Sequence, residues 1–241
     1  MKLPVLSGVV RRRILANYRV DPEVASRWVP APLRPKLQNG FAIAGVCLIR
    51  LEQIRPAGLP CVPGIASENA AHRIAVTWDE GGVTREGVFI ERRDSDSWLN
   101  QLAGGRIFPG RHGAARFEID DDGRAIWFQM QGEEGLRIVV DGEQSRALPE
   151  GSVFPSLEVA STFFEGGSLG YSRTSDPSRL DAMELVTDSW SVAPLALSRF
   201  ESTFFADRTR FPEGSVEIDH ALVMRDIDHR WVSQPDLGCP C

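Results

Sequence analysis

The chain has 241 residues, 42% hydrophobic and 25% charged, with a formal net charge of −6. This composition can bury a sizeable core and excludes a disordered type, and the acidic balance argues against a general nucleic-acid binder, which would present a basic face. No run approaches the roughly 18 apolar residues of a membrane span. The basic cluster Arg11-Arg12-Arg13 follows the apolar run Leu3 to Val10, whereas a secretory leader has its basic part first. Cys47, Cys61, Cys239 and Cys241 make no disulfide framework for a chain of this size, and Cys239-Pro240-Cys241 reads as a chain tail. The expected compartment is the cytoplasm, with neither nucleic acid nor membrane as partner.

In chain order, Ile14 to Val20 alternates apolar and polar residues as a strand does. Asp21-Pro22 reads as an N-cap with proline at the first helical position, opening a short helix through Val29 that Pro30, Pro32 and Pro35 cannot extend. Phe41 to Leu51 is a core strand, and Arg55 to Gly64 a loop. Glu68 to Asp79 pairs with Val83 to Glu91 across Glu80-Gly81-Gly82. Asp94 or Ser95 is expected to cap a short helix carrying Trp98, Leu99 and Leu102, ended by Gly104-Gly105. A Gly- and Pro-rich turn with Arg106, Arg111 and His112 leads to a strand from Ala114 to Ile119. That strand pairs with Ala125 to Gln131 over Asp121-Asp122-Gly123. Leu136 to Val140 continues the meander, and Ser156 caps a helix to Glu165 before Gly166-Gly167. Further strands are predicted at Leu169–Arg173, Met183–Trp190, Leu195–Phe204 and Val216–Met224. Short strands with few short helices argue for a mainly antiparallel sheet or barrel, and with no linker visible residues 1–241 read as one domain.

Standard motifs are absent: the sequence has no phosphate-cradling glycine loop before a helix and no nucleophile elbow. His72, His112, His220 and His229 lack metal-ligand spacing, and nothing calls for a metal or cofactor. Asp219-His220 and Asp228-His229 offer hydrogen-bonded pairs, but with several acidic neighbours near the chain end they read as a solvated face, and no catalytic dyad is legible in them. What remains is a constellation spread over several strands. Arg11, Arg12 and Arg13 begin one strand, where two alternating positions share a side. Glu68 opens another, Glu91, Arg92 and Arg93 end a third, and Arg111 and His112 follow on the next loop. Arginine suits bidentate recognition of a carboxylate, and a buried arginine demands an acidic partner such as Glu68 or Glu91. Structural ion pairs at a barrel rim would use the same residues.

The run from Arg11 to Pro35 resembles the opening of the acetoacetate decarboxylase-like superfamily. Tyr18, Arg19, Asp21 and Val29-Pro30-Ala31-Pro32-Leu33 match its pattern, Arg11 falls at its strand arginine, and Glu68 at its strand-opening glutamate. Leu102 to Arg106 with Phe108-Pro109 is similar to its Gly-Arg turn before Phe-Pro, and the chain looks most like the superfamily's uncharacterised conserved-domain branch. The resemblance implies a cone-like antiparallel β-barrel with a few short helices, a small-molecule cavity and homo-oligomeric assembly. It also implies two lysines directly after Phe-Pro, where this chain has Gly110 and Arg111. Arginine stays protonated and cannot serve as the amine nucleophile, and Lys2 and Lys36 are the chain's only lysines.

Three readings follow. The barrel is an enzyme acting on a small carboxylate or keto acid without an imine, with Glu68 or His112 as general acid or base. Alternatively it only binds such a metabolite. In both, Arg11, Arg13, Glu91, Arg92 and Arg111 form the substrate-binding face. In the third reading the module is structural or partner-binding, with an ion-paired rim and no cavity behind Arg11.

Overall fold

The computed structural model describes residues 5–59, 64–97 and 110–238. Its strands are β1 (Leu6–Val20), β2 (Arg34–Pro35), β3 (Leu37–Gln38), β4 (Phe41–Pro56), β5 (Ile65–Glu80), β6 (Val83–Ser95) and β7 (Arg111–Asp121). They continue with β8 (Ala125–Gly132), β9 (Arg137–Gln144), β10 (Leu169–Arg173), β11 (Arg179–Thr187), β12 (Ala193–Ser202) and β13 (Val216–Gly238). Among the described residues three short α-helices interrupt them: α1 (Pro22–Ser26), α2 (Leu157–Glu165) and α3 (Thr203–Ala206).

These strands form one 13-stranded sheet that closes on itself. Strands β13, β1, β4, β5 and β6 make a shared wall. One circuit returns from β6 through β10 and β11 to β13, and the other through β7, β8, β9 and β12 to β13. Closure removes the edges that would otherwise template pairing with another chain. The pairings are antiparallel except β6 with β10 and β6 with β7.

Each face of the wall buries its own core. Ile14, Ala16 and Tyr18 of β1, with Ala44, Val46 and Leu48 of β4, pack toward Phe128, Met130, Ile138 and Val140. Leu15, Ile43, Cys47 and Ile49 face the other way, under Phe163 and Phe164 of α2. That helix buries Ala160, Phe163 and Phe164, spaced so that one stripe meets the sheet, and Ser156 caps it by accepting from Val159 N–H at 3.3 Å.

The local signals held where their chemistry is self-contained. Asp21 accepts from the N–H groups of Glu23 and Val24, with Pro22 opening α1. Asp122 caps the β7–β8 turn, where Gly123 sits at φ 93°. Elsewhere tertiary pairing moved boundaries. Asp94 and Ser95 are strand residues opposite Ala70 and Asn69, not a helix cap, because β5 continues to pair with β6 through them. The rest of that expected helix lies outside the described residues. β7 begins at Arg111 rather than Ala114, since Arg111 and His112 pair with Arg92 and Arg93, so both are strand residues and not loop residues. α1 ends at Ser26, three residues before Val29, and β4 runs on through Pro56 into the expected loop. β5 opens at Ile65, before Glu68, and β11 spans Arg179–Thr187 rather than Met183–Trp190. The strand expected to reach Phe204 ends at Ser202 and gives way to α3. β13 continues past Met224 to Gly238, because its second half is sandwiched between β1 and β11.

Candidate functional site

Three arginines that are consecutive in sequence point in three directions. Val10 pairs with Leu51 and Arg12 with Arg50, so Arg11 is an extra residue on β1, a β-bulge that shifts the alternation. Arg11 turns outward to Glu52 and Asp226, at 3.1 and 2.7 Å. Arg12 enters the β8-facing core and pairs with Glu68 at 2.9 Å and Asp121 at 3.4 Å. Arg13 enters the α2-facing side.

The acids that the sequence offers are consumed away from Arg13. Glu68 is buried against Arg12, and Arg50 lies 3.9 Å away; burial raises its carboxyl above the ordinary range. Asp121 also binds Arg225 at 2.7 Å. Arg92 is held by Asp94 at 2.8 Å and reaches Glu134, which takes Arg111 at 2.8 Å. Glu91, Arg92 and Arg111 line an open groove of about 310 Å³ together with Glu133, Glu134, Asp207 and Arg210, so acids match its arginines.

On the opposite side lies a cavity of about 100 Å³, several times the need of a single water. Its wall comes from Arg13, Cys47, Ile49, Leu51, Ala71, Arg73, Val88, Ile90, Arg93, His112, Met183, Leu185 and Trp231. A second bulge shapes it. His72 pairs with Arg92 but Arg73 with Ile90, leaving Glu91 as the extra residue, so Arg93 rather than Arg92 joins Val88 and Ile90 on the cavity wall. Gly110, at φ 102°, passes so close that a Cβ there would stand 2.9 Å from Ser172 and 3.1 Å from the Arg93 guanidinium.

The cavity's lining carries three arginines, and its carboxylate, Asp94, is already tied to Arg92 at 2.8 Å. Arg13, 8% exposed, donates from Nε to Cys47 Sγ at 3.3 Å and lies over the Trp190 ring. Arg73, 4% exposed, donates to Asn17 Oδ1 at 2.8 Å and lies over Phe164, while its Nε has no hydrogen-bond partner. Arg93 donates to Ser172 Oγ at 2.6 Å. Burial depresses the Arg73 and Arg93 guanidiniums to about 10. Among the described residues no carboxylate lies within ion-pair distance of Arg13 or Arg73. Two buried guanidiniums without acids leave an uncompensated charge, which costs several kcal/mol in an apolar site.

The expected site residues therefore divide. Arg13 and His112 reach the cavity, Glu91, Arg92 and Arg111 share the groove, and Arg11 and Glu68 belong to ion pairs elsewhere. Sequence reasoning missed Arg73 and Cys47. The signal for Arg73 is a charged residue within the apolar run Ala70 to Val76, since arginine is almost never fully buried without a reason. Among the described residues no cluster of three or more His, Cys, Asp or Glu side chains is placed to hold a metal ion, and no helix is long and apolar enough to cross a membrane.

A family profile described as an uncharacterized conserved protein matches residues 9–224. No curated protein matches the chain. Solved structures share its architecture at low identity. An acetoacetate decarboxylase from Legionella pneumophila superposes with a TM-score of 0.63 at 12% identity, covering 97% of this chain and 88% of that one. An acetoacetate decarboxylase-like enzyme from Sphingomonas wittichii gives 0.59 at 15% identity, with 97% and 92% covered. The enduracididine biosynthesis enzyme MppR complexed with pyruvate gives 0.58 at 12% identity, with 100% and 91% covered. The fold is thus acetoacetate decarboxylase-like.

Proposed function

The chain belongs to that family of uncharacterized conserved proteins, and we propose that it holds a small carboxylate, of the size and kind of pyruvate, in the arginine-lined cavity. The observation that carries this reading is the pair Arg13 and Arg73, both buried on one cavity and neither in an ion pair with an acid among the described residues, the nearby Asp94 being held by Arg92. A ligand carboxylate completes them through charge-assisted bonds worth about 1.5–3 kcal/mol each. Ile49, Leu51, Ile90, Met183 and Leu185 offer an apolar surface to the hydrocarbon part of the acid. One of the similar structures, MppR, is itself complexed with pyruvate.

The ligand is held without an imine. Lys36 borders only a narrow void beside Arg13 and Arg73, with about 10 Å³ of room. Its ammonium is paired with Glu86 at 2.5 Å, donates to the Phe163 carbonyl and lies over the Phe163 ring. Turnover by acid–base chemistry is a second reading. It is favoured by His112, which lines the same cavity, whereas Glu68 is tied to Arg12 across the sheet. We also propose homo-oligomeric assembly, on the same resemblance; sedimentation at the mass of a single chain would overturn it.

Titration calorimetry with pyruvate, acetoacetate and short hydroxy acids tests the proposal. Replacing Arg13 or Arg73 with Met is expected to weaken binding by about ten- to a hundredfold, and Arg11→Met to leave it unchanged. A wild type that binds none of these acids, or an Arg11→Met variant that loses them as Arg73→Met does, overturns it.

A further inference from the structure

Beneath Arg73 runs a buried polar chain. Arg73 donates to Asn17 Oδ1 at 2.8 Å; Asn17 Nδ2 lies 3.1 Å from His220 Nε2; and His220 Nδ1 contacts Asp219 Oδ2 at 2.5 Å. Asn17 is fully buried, His220 1% exposed and Asp219 5%. Hydrogen-bond polarity orders the chain without ambiguity. A guanidinium can only donate, so the Asn17 atom facing it is the carbonyl oxygen. The amide nitrogen then donates to Leu15 O at 3.0 Å and to His220 Nε2, which must be the bare acceptor nitrogen. The ring proton therefore sits on Nδ1 and is donated to Asp219. Asp219 is fixed at its other end by Ser152 Oγ at 2.8 Å and Val153 N–H at 2.9 Å.

A third bulge makes this possible. Asn17 pairs with His220 but Tyr18 with Ile218, so Asp219 is the extra residue on β13. In an unbroken strand Asp219 and His220 would point to opposite faces; the bulge lets them meet. Phe154 and Phe164 pack on the His220 ring, with centroids 5.0 and 5.5 Å away. Phe164 is also the ring beneath Arg73.

We infer that Asp219, His220 and Asn17 form a positioning relay that holds the Arg73 guanidinium toward the cavity for the ligand carboxylate. The inference rests on the carboxylate reading above. None of the three touches the ligand. They fix the orientation of the group that does, so that it is not reorganised on binding.

A double-mutant cycle on pyruvate affinity tests the relay. His220→Leu removes the acceptor for Asn17 and is expected to raise the pyruvate Kd about tenfold. His220→Gln, which keeps an acceptor near the place of Nε2, restores affinity to within about threefold of wild type. In an Arg73→Met background His220→Leu changes the Kd by less than about twofold, because the group it positions is gone. Should His220→Leu not fold, Asn17→Ala, which deletes the bond to Arg73 itself, takes its place. Equal losses with and without Arg73, or no loss from either variant, overturn the relay while leaving the binding site intact. A wild type that does not bind pyruvate overturns the carboxylate reading and the relay with it.

Discussion

Arg12 and Glu68 meet at 2.9 Å, both buried, on the face of the shared wall opposite Arg13 and the cavity. The pair belongs to the fold, and its removal should leave ligand affinity untouched. Glu68→Ala leaves the buried Arg12 guanidinium with only the longer Asp121 contact at 3.4 Å and is expected to cost about 1.5–3 kcal/mol in urea unfolding, with wild-type affinity for pyruvate. Adding Arg12→Met should return much of that stability, since an apolar replacement of a buried pair is close to neutral. If Glu68→Ala instead lost the acid at unchanged stability, Glu68 would belong to the binding site.

The arginines show what the sequence could and could not convey. The Asp21-Pro22 cap, the Asp122-Gly123 turn and Ser156 act within a few residues, so they were legible. The overall architecture followed from the strand pattern and from the resemblance carried by Tyr18, Asp21 and the Pro-rich turn. The site was not legible, because three bulges set it. The one at Arg11 sends Arg11, Arg12 and Arg13 three ways; that at Glu91 puts Arg93 on the cavity wall; that at Asp219 turns an expected solvated face into a buried Asp–His pair. A bulge depends on the register of the neighbouring strand, which strict alternation along one strand cannot show.

Cys47 offers a chemical probe of the cavity's charge. Its thiol lines the cavity 3.3 Å from Arg13 Nε, beside Arg73 and Arg93. A cationic enclosure raises the local concentration of anions. Iodoacetate should therefore alkylate Cys47 faster than neutral iodoacetamide, with the site located by peptide mass mapping, and pyruvate should protect it. Arg73→Met should reduce the preference. Faster labelling by iodoacetamide would show that the arginines present no anion-attracting field to that thiol.

Lys36 allows a direct test of imine chemistry. With its ammonium tied to Glu86 and the Phe163 carbonyl beside a void of about 10 Å³, it has neither a free amine nor space for a keto acid. Borohydride added with pyruvate or acetoacetate is expected to leave Lys36 unmodified under conditions where both acids bind. A reduced adduct mapped to Lys36 would place imine formation in this protein after all.

His72 predicts how stability depends on pH. It is 1% exposed and packs 4.5 Å from the Phe204 ring, and neither ring nitrogen has a hydrogen-bond partner. Burial, with Arg92 and Arg210 nearby, depresses it from 6.5 to about 3. Between those values the unfolded chain binds a proton that the folded protein refuses, so stability rises with pH across this window and falls as the solution is acidified. Going from pH 7.5 to 5.5, the linkage for one such group amounts to about 1.4 kcal/mol. His72→Phe keeps a ring among Phe204 and Phe205 but removes the titration. Urea unfolding at the two pH values should therefore show the variant losing about 1.4 kcal/mol less than wild type. Equal losses in the two proteins would mean that His72 takes up its proton in the folded state at an ordinary pH, which a ring buried without a partner would not do.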